Sequence, residues 1–141
     1  MKKIIVTGCN GQLGRAINLE LKGNSDIEFV NTDVEELDIT NIDKVMELAR
    51  EVKPYAIINC AAHTGVDACE DEWDKAYRIN AIGPRNLSIA ATETGAIWYD
   101  KVSGREYGSG FCQQILYTPH CMAVWGWQEF CKDYAAFIGN Q

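Results

Sequence analysis

Three glycines near the start of the chain are spaced so that they could bind phosphate. Gly8, Gly11 and Gly14 follow the apolar run 3–7 and open a segment patterned as an amphipathic helix. The first glycine would permit a tight turn, the second would let backbone approach a pyrophosphate, and the third would let helix and strand pack closely. N–H groups at the helix start would face the phosphates, helped by the helix dipole. The pattern G-x-x-G-x-x-G thus predicts a dinucleotide-binding turn, and a glycine-rich turn that binds nothing is the alternative.

An acidic residue follows at a distance from this turn that suits a ribose contact. Asp33 ends the second apolar run, 25 residues after Gly8. A carboxylate there can accept hydrogen bonds from the adenosine ribose hydroxyls, and it would favour NAD over NADP by repelling a 2′-phosphate. An aspartate that caps a turn is the alternative. Asp38 and Ile39 form a second candidate contact, near the adenine.

A third candidate cluster follows the next apolar run. Ligands of open α/β sheets bind at the carboxyl ends of the strands, where the segment 59–64 is expected to lie. The small residues Ala61 and Ala62 would let a cofactor pass close to the backbone. His63 and Thr64 could donate to the cofactor or line the substrate entrance, and a purely structural histidine is the alternative.

Two polar features beyond this cluster can be explained by local structure alone. Asp67, Glu70, Asp71 and Glu72 suit the N-terminus of a helix better than a metal site, because no second ligand cluster accompanies them. Asn80 lies in a helical stretch of poor propensity. It either hydrogen-bonds backbone near the site or marks a kink before the following proline.

The elements that must position these residues alternate along the first two thirds of the chain. The order β-α-β-α-β-α predicts a parallel sheet with right-handed crossovers. The last helical stretch is expected to be interrupted near Gly83-Pro84 and to end at Gly95. The predicted strands are 3–7, 27–31 and 55–60, and the predicted helices are 12–22, 41–52 and 72–94.

Composition narrows the function classes. The chain has 141 residues and a net charge of −7, which argues against nucleic acid as a main partner. No apolar run is long enough to span a bilayer and no signal peptide is recognisable, so we expect no membrane partner and a cytoplasmic location. The six cysteines form no C-x-x-C pair, which suggests neither a zinc site nor a disulfide framework.

Four ordered strings within residues 1–95 resemble one enzyme family. They are V-T-G-C-N-G-Q-L-G, L-D-I-T, I-I-N-C-A-A-H-T-G-V-D-A-C-E and Y-R-I-N-A-I-G-P-R-N-L. These strings resemble the dTDP-4-dehydrorhamnose reductases, which are extended short-chain dehydrogenase/reductases. Cys9 and Gly65 stand where alanine is usual in that family, and Ala68 stands where lysine is usual.

The resemblance implies a Rossmann-fold enzyme with a smaller substrate domain. Such an enzyme uses NADH or NADPH to reduce the 4-keto group of a dTDP-sugar in dTDP-L-rhamnose biosynthesis. The resemblance and the glycine turn together give no catalytic residue and no metal ligand. The expected cofactor contacts are Gly8, Asn10, Gly11, Gln12, Leu13, Gly14, Asp33, Asp38, Ile39, Ala61, Ala62, His63 and Thr64.

The pair that would transfer the proton is missing. The family carries a Y-x-x-x-K pair, in which a nearby lysine lowers the pKa of the proton-donating tyrosine. No tyrosine of this chain has a lysine four residues later. Reading permitted codons of 97–106 one nucleotide later gives Y-G-T-T-K-L-A-G-E, which resembles that motif. We therefore hypothesise a deletion with a change of reading frame just after Gly95.

These observations predict an α/β chain with a partial Rossmann fold. We expect three α/β/α layers, a short parallel sheet of three to four strands, a dinucleotide-binding half-domain at 1–95 and an irregular tail at 96–141. The first strand would have an uncovered apolar edge, which 96–99 could cover as a fourth strand and which could otherwise cause self-association. A catalytically incomplete reductase is the favoured function. The alternatives are a non-catalytic NAD(P)-binding regulatory module and a truncated product without function.

Overall fold

The chain alternates strands and helices as far as residue 100. A computed structural model describes residues 1–63 and 71–100 and the backbone of 105–107. A π-helical turn at Arg78–Ile82 joins the third helix to the fourth. The strands are β1 (Lys2–Thr7), β2 (Ile27–Thr32), β3 (Ala56–Asn59), β4 (Ile97–Asp100) and β5 (Arg105–Tyr107). The helices are α1 (Gln12–Glu20), α2 (Ile42–Val52), α3 (Trp73–Tyr77) and α4 (Gly83–Thr94).

The strands form one sheet in the order β2-β1-β3-β4-β5. The strands β1 to β4 run parallel, and β5 pairs antiparallel with β4. The expected uncovered edge on the first strand is wrong, because the two crossovers place β2 and β3 on opposite sides of β1. A fourth strand does form, at Ile97–Asp100, but it extends the sheet beyond β3.

Helices cover both faces of the sheet, which confirms the three-layer α/β/α fold. On one face Leu13 and Ile17 of α1 pack against Ile4, Val6 and Ile58. On the other face α2 and α4 pack against the alternate residues of the same strands. Both faces are apolar because parallel strands are buried on each side. This second core contains Ile5, Ile57 and Trp98 of the sheet and Val45, Met46, Ala49, Leu87, Ala90 and Ala91 of the helices.

Two residues with known capping preferences mark the start of α2 and the end of α4, as the sequence predicts. Asn41 caps α2, its side chain accepting hydrogen bonds from the N–H groups of Asp43 and Lys44. Gly95 ends α4 with a φ of 71°, the left-handed conformation typical of a glycine after a helix. The expected interruption near Gly83 lies slightly earlier, as the π-helical turn.

The domain boundary at residue 95 stays a prediction. The strand β4 joins the same sheet, and the segments 101–104 and 108–141 of the predicted tail lie outside the described residues. Within the described residues, no helix is long and apolar enough to cross a membrane.

Candidate functional site

Two of the three glycines lie where the turn between β1 and α1 packs closely against neighbouring backbone. Gly8 has a φ of +62°, and a Cβ atom added to it would lie 2.6 Å from the backbone nitrogen of Ala61. A Cβ atom on Gly14 would lie 2.5 Å from the Cα atom of Cys9. Both contacts are backbone contacts that cannot move aside easily. Gly8 and Gly14 therefore let the turn pack against β3 and α1.

Gly11 has a different reason to lack a side chain. Among the described residues, a Cβ atom there would meet only the carbonyl oxygen of Gly8, at 3.3 Å. Gly11 is also the N-cap of α1, with extended backbone and no side-chain cap. The outer side of the turn is therefore open at Gly11, where a ligand could approach the backbone.

The start of α1 presents N–H groups that an anion could accept. The first N–H groups of a helix, here at Gln12, Leu13 and Gly14, have no acceptor within the helix. No acidic residue lies in the first turn of α1. The N–H groups of Asn10 and Gly11 are already bonded, to Asp33 at 3.0 Å and to the Gly8 carbonyl at 3.1 Å. The first turn of α1, with its positive dipole end, is therefore the part of this loop best suited to an anion.

Asp33 is brought directly against the glycine turn. One carboxylate oxygen accepts the N–H of Asn10, and the other accepts the N–H of Val34 at 2.8 Å. Asp33 therefore caps its own turn, as in the alternative interpretation, and it also reaches the glycine turn. Each carboxylate oxygen has further lone-pair capacity for a ribose hydroxyl. A ribose contact by Asp33 stays a prediction.

Cys9 lies on the glycine turn as a free thiol. Burial, followed by the negative charges of Asp33 and Glu36, raises its pKa. Because the thiolate is the reactive form, a raised pKa slows oxidation at this position. The N–H of Cys9 donates to the carbonyl of Thr32 at 3.1 Å, which ties the turn to the end of β2.

Asn59 shapes the chain where β3 ends. Its side chain is fully buried, and Oδ1 accepts the hydroxyl of Thr7 at 2.7 Å and the N–H of Ala61 at 3.1 Å. Its Nδ2 has no hydrogen-bond partner within the described part of the chain. The bond to Ala61 turns the chain at 61–63 towards Gly8. No sequence motif marked Asn59 for this role, although a polar residue at the end of a buried strand is a usable signal.

Asn59 belongs to a row of buried polar residues across the carboxyl edge of the sheet. In strand order the row is Thr32, Thr7, Asn59 and Asp100, each in register with its neighbour. All four residues are buried. The row lies beneath the loops that hold the candidate site, so the polar floor of the site is built by four separate strands.

His63 is held by groups from the π-helical turn and from α3. Its N–H donates to Oδ1 of Asn80 at 2.8 Å, and its carbonyl accepts from Nδ2 of Asn80 at 2.9 Å. Its ring Nε2 lies 3.2 Å from a carboxylate oxygen of Glu72. Asn80 therefore hydrogen-bonds backbone, as in its first interpretation, and it also lies within the π-helical turn before the proline, as in its second. Thr64 lies outside the described residues.

Glu72, which directly precedes α3, contacts both His63 and Lys75. Hydrogen bonds from His63 and then from Lys75 lower its pKa. Glu72 directly precedes α3, as expected for a carboxylate at a helix N-terminus. In the described part of the chain, no three His, Cys, Asp or Glu side chains are grouped so that they could hold a metal ion.

Asp38 and Ile39 lie on the connection from β2 to α2. The carboxylate of Asp38 accepts the N–H of Thr40 at 2.9 Å and its hydroxyl at 2.6 Å, and these bonds lower its pKa. The Ile39 carbonyl accepts from Asn86 at 3.0 Å, and its side chain fills the space left by Gly83. Gly83 and Asn86 of α4 therefore fix the loop expected near the adenine, a role that the sequence indicated for neither residue.

Comparison with known proteins identifies the family. Residues 1–99 match the family described as RmlD substrate binding domain. The chain belongs to this family. It is 43% identical over 91 residues to a dTDP-4-dehydrorhamnose reductase of Aggregatibacter actinomycetemcomitans, an alignment that covers 64% of this chain and 31% of that enzyme. The chain thus spans about a third of the length of such RmlD relatives.

Solved RmlD-family structures match the same region. A dTDP-4-dehydrorhamnose reductase of Clostridium acetobutylicum is 55% identical, with a TM-score of 0.66 over 68% of this chain and 34% of that chain. The Bacillus anthracis dTDP-4-dehydrorhamnose reductase, solved in complex with NADP, is 44% identical, with a TM-score of 0.66 over 70% of this chain and 35% of that chain. These matches confirm the resemblance of the first 95 residues and the Rossmann-type fold.

Proposed function

We propose that this chain binds NADH or NADPH at the carboxyl edge of its sheet. The pyrophosphate would lie over Gly11 and the first turn of α1, and the adenosine ribose would lie at Asp33. The observation that carries the proposal is the hydrogen bond that joins Asp33 to the glycine turn. It places the expected ribose acceptor beside a helix N-terminus that has no side-chain cap.

Membership of the RmlD family supports a role in reducing a dTDP-4-keto-6-deoxy-sugar. A bound reduced nicotinamide supplies the hydride for such a reduction. The residues of this chain would position that cofactor: Ala61 and Ala62 leave room beside the backbone, and Asn80 fixes the backbone at His63. The Glu72 contact keeps the His63 ring in a structural role, so we assign it no proton transfer.

We further propose that the chain alone does not turn over such a sugar. The reduction needs a proton donor at the carbonyl oxygen, and the tyrosine–lysine pair that supplies it in the family is missing from this sequence. The same observation favours a second candidate function, a non-catalytic dinucleotide-binding module. A product without function is the third possibility, and only this one excludes dinucleotide binding.

Two measurements on the purified full chain separate these candidates. NADH and NADPH are titrated while the fluorescence of the reduced nicotinamide is followed, and a dTDP-4-keto-6-deoxy-sugar is then added while the absorbance of the nicotinamide is recorded. We expect saturable binding without oxidation of the cofactor. If neither NADH nor NADPH binds, the binding proposal is overturned. Steady oxidation of the cofactor that depends on the sugar would overturn the proposed lack of turnover.

We propose that any self-association uses the open edge of β2 and not the edge of β1. Among the described strands, β2 pairs only with β1 and therefore has an open side. Open strand edges can template pairing between copies. Sedimentation velocity at several protein concentrations measures this, and a monomer at all of them would contradict it.

A further inference from the structure

The turn after β2 folds a second carboxylate back onto Asp33. One carboxylate oxygen of Glu36 accepts the backbone N–H of Asp33 at 2.9 Å. The N–H groups of Glu36 and Leu37 donate in return to the Asp33 carbonyl, at 3.1 Å and 2.8 Å. The side-chain bond is half of a capping box, and it holds the Glu36 side chain against the backbone of Asp33. The Asp33 side chain is held separately, by the N–H groups of Asn10 and Val34. Glu36 is therefore held beside the expected ribose acceptor.

The electrostatic field of this turn reaches the glycine turn and is negative. The segment 33–38 contains four carboxylates and no lysine or arginine. The charges of both Asp33 and Glu36 contribute to the raised pKa of the Cys9 thiol. The cation Lys44 lies near the far end of the segment, where it helps to lower the pKa of Asp38.

We propose that Glu36, acting with Asp33, makes this site select a dinucleotide without a 2′-phosphate, so that the chain binds NADH in preference to NADPH. The inference rests on the proposed function, since it concerns the ribose end of the same site. The 2′-phosphate is attached to the ribose that Asp33 is expected to contact, so it would enter the field of both carboxylates. The Bacillus anthracis relative was solved in complex with NADP, so the family fold by itself does not exclude a 2′-phosphate and the selection must come from side chains at the ribose end.

The expected discrimination follows from simple electrostatics. A phosphate monoester carries a charge of about −1.5 to −2 at neutral pH, and a carboxylate about 5 Å away in water weakens its binding about tenfold. Glu36 is exposed, so its contribution should decrease as salt screens the charges. Asp33 also loses a hydrogen-bond partner when the ribose hydroxyl is phosphorylated. The two residues together therefore predict a preference of at least about tenfold at low salt.

The test compares dissociation constants of NADH and NADPH for the full chain and two variants. Glu36→Gln removes the charge and keeps an oxygen that can accept the Asp33 N–H. Glu35→Gln is the matched control, because it removes the same charge from an exposed neighbour in the same turn. Fluorescence titrations are made at low salt and at about 0.5 M salt, where the Debye length is about 4 Å. Thermal melts verify that both variants are folded.

We expect the NADPH/NADH ratio of dissociation constants to fall about fivefold to tenfold in Glu36→Gln and less than twofold in Glu35→Gln. The NADH constant itself should change little in both variants, and salt should reduce the ratio of the unmodified chain. Equal binding of NADH and NADPH by the unmodified chain would overturn this inference and leave the proposed function intact. An equal effect of the two variants would also overturn it. Binding of neither dinucleotide would overturn the proposed function itself.

Discussion

Replacing Gly8 by alanine should damage the fold through two separate physical effects. The backbone of Gly8 is left-handed, with a φ of +62°, which an L side chain adopts at a cost. The new methyl group would also lie 2.6 Å from the backbone nitrogen of Ala61 and 2.7 Å from its Cα atom. The N–H of Ala61 is bonded to the buried side chain of Asn59, so the loop cannot retreat without weakening that bond.

The magnitude can be assembled from these contacts. The left-handed conformation costs a non-glycine residue about 1–2 kcal/mol. A methyl group forced into a packed region costs about 1–3 kcal/mol more. The expected loss of about 2–5 kcal/mol is a large share of a typical unfolding free energy of about 5–15 kcal/mol. We therefore expect Gly8→Ala to be marginally folded.

Urea denaturation followed by circular dichroism measures this loss, and two glycines provide matched controls. Gly95 has a φ of +71° and, among the residues that the structure describes, nothing within 4 Å of an added Cβ atom, so we expect Gly95→Ala to carry mainly the backbone cost. Gly14 lies within α1 and would meet Cys9, so Gly14→Ala carries the steric cost, offset by about 1 kcal/mol of helix propensity. If Gly8→Ala were no more destabilising than Gly95→Ala, the close approach of the glycine turn to β3 would be refuted.

Three further predictions test the site. Gly11→Ala should weaken dinucleotide binding at least about tenfold, because the methyl group stands at the N-cap where a ligand would approach the backbone. It should also lower the free energy of unfolding by about 1 kcal/mol, because alanine is a poor N-cap and its Cβ atom meets the Gly8 carbonyl oxygen at 3.3 Å; unchanged binding in titrations would contradict a ligand there. Asn80→Ala should lower the free energy of unfolding by about 1–3 kcal/mol in urea denaturation, because it removes the side chain that bonds the N–H and C=O groups of His63. An unchanged free energy of unfolding would refute this role of Asn80. Thr40→Val removes the hydroxyl bond that lowers the pKa of Asp38, so an NMR titration should show that pKa rising. The stability that this bond contributes is present above the unfolded carboxyl pKa and is lost as pH falls through the lowered folded pKa. An NMR titration curve of Asp38 that is unchanged in the variant would contradict the role of the Thr40 hydroxyl.

Much of the local structure was predictable because its causes are local. Apolar runs set β1 and β2 to within a residue at each end, and Asn41 and Gly95 mark ends of helices by their own chemistry. The glycine spacing indicated the turn for the same reason. The tail hypothesis has no such support from the fold, and sequencing the coding DNA around Gly95 is its direct test. A shifted frame that lacked the family strings would contradict it.

The amino-acid sequence by itself determined the alternating elements, the glycine turn and the family to which they point. Only the tertiary structure decided that β1 lies between β2 and β3 and which polar groups meet. Thr7 and Asn59 are 52 residues apart, and His63 and Asn80 are 17 apart. Such pairs depend on the side of β1 to which each crossover returns, and no local pattern encodes that choice. The glycine turn is therefore readable from its spacing, whereas the carboxylates and amides around it become a site only when four strands are in register.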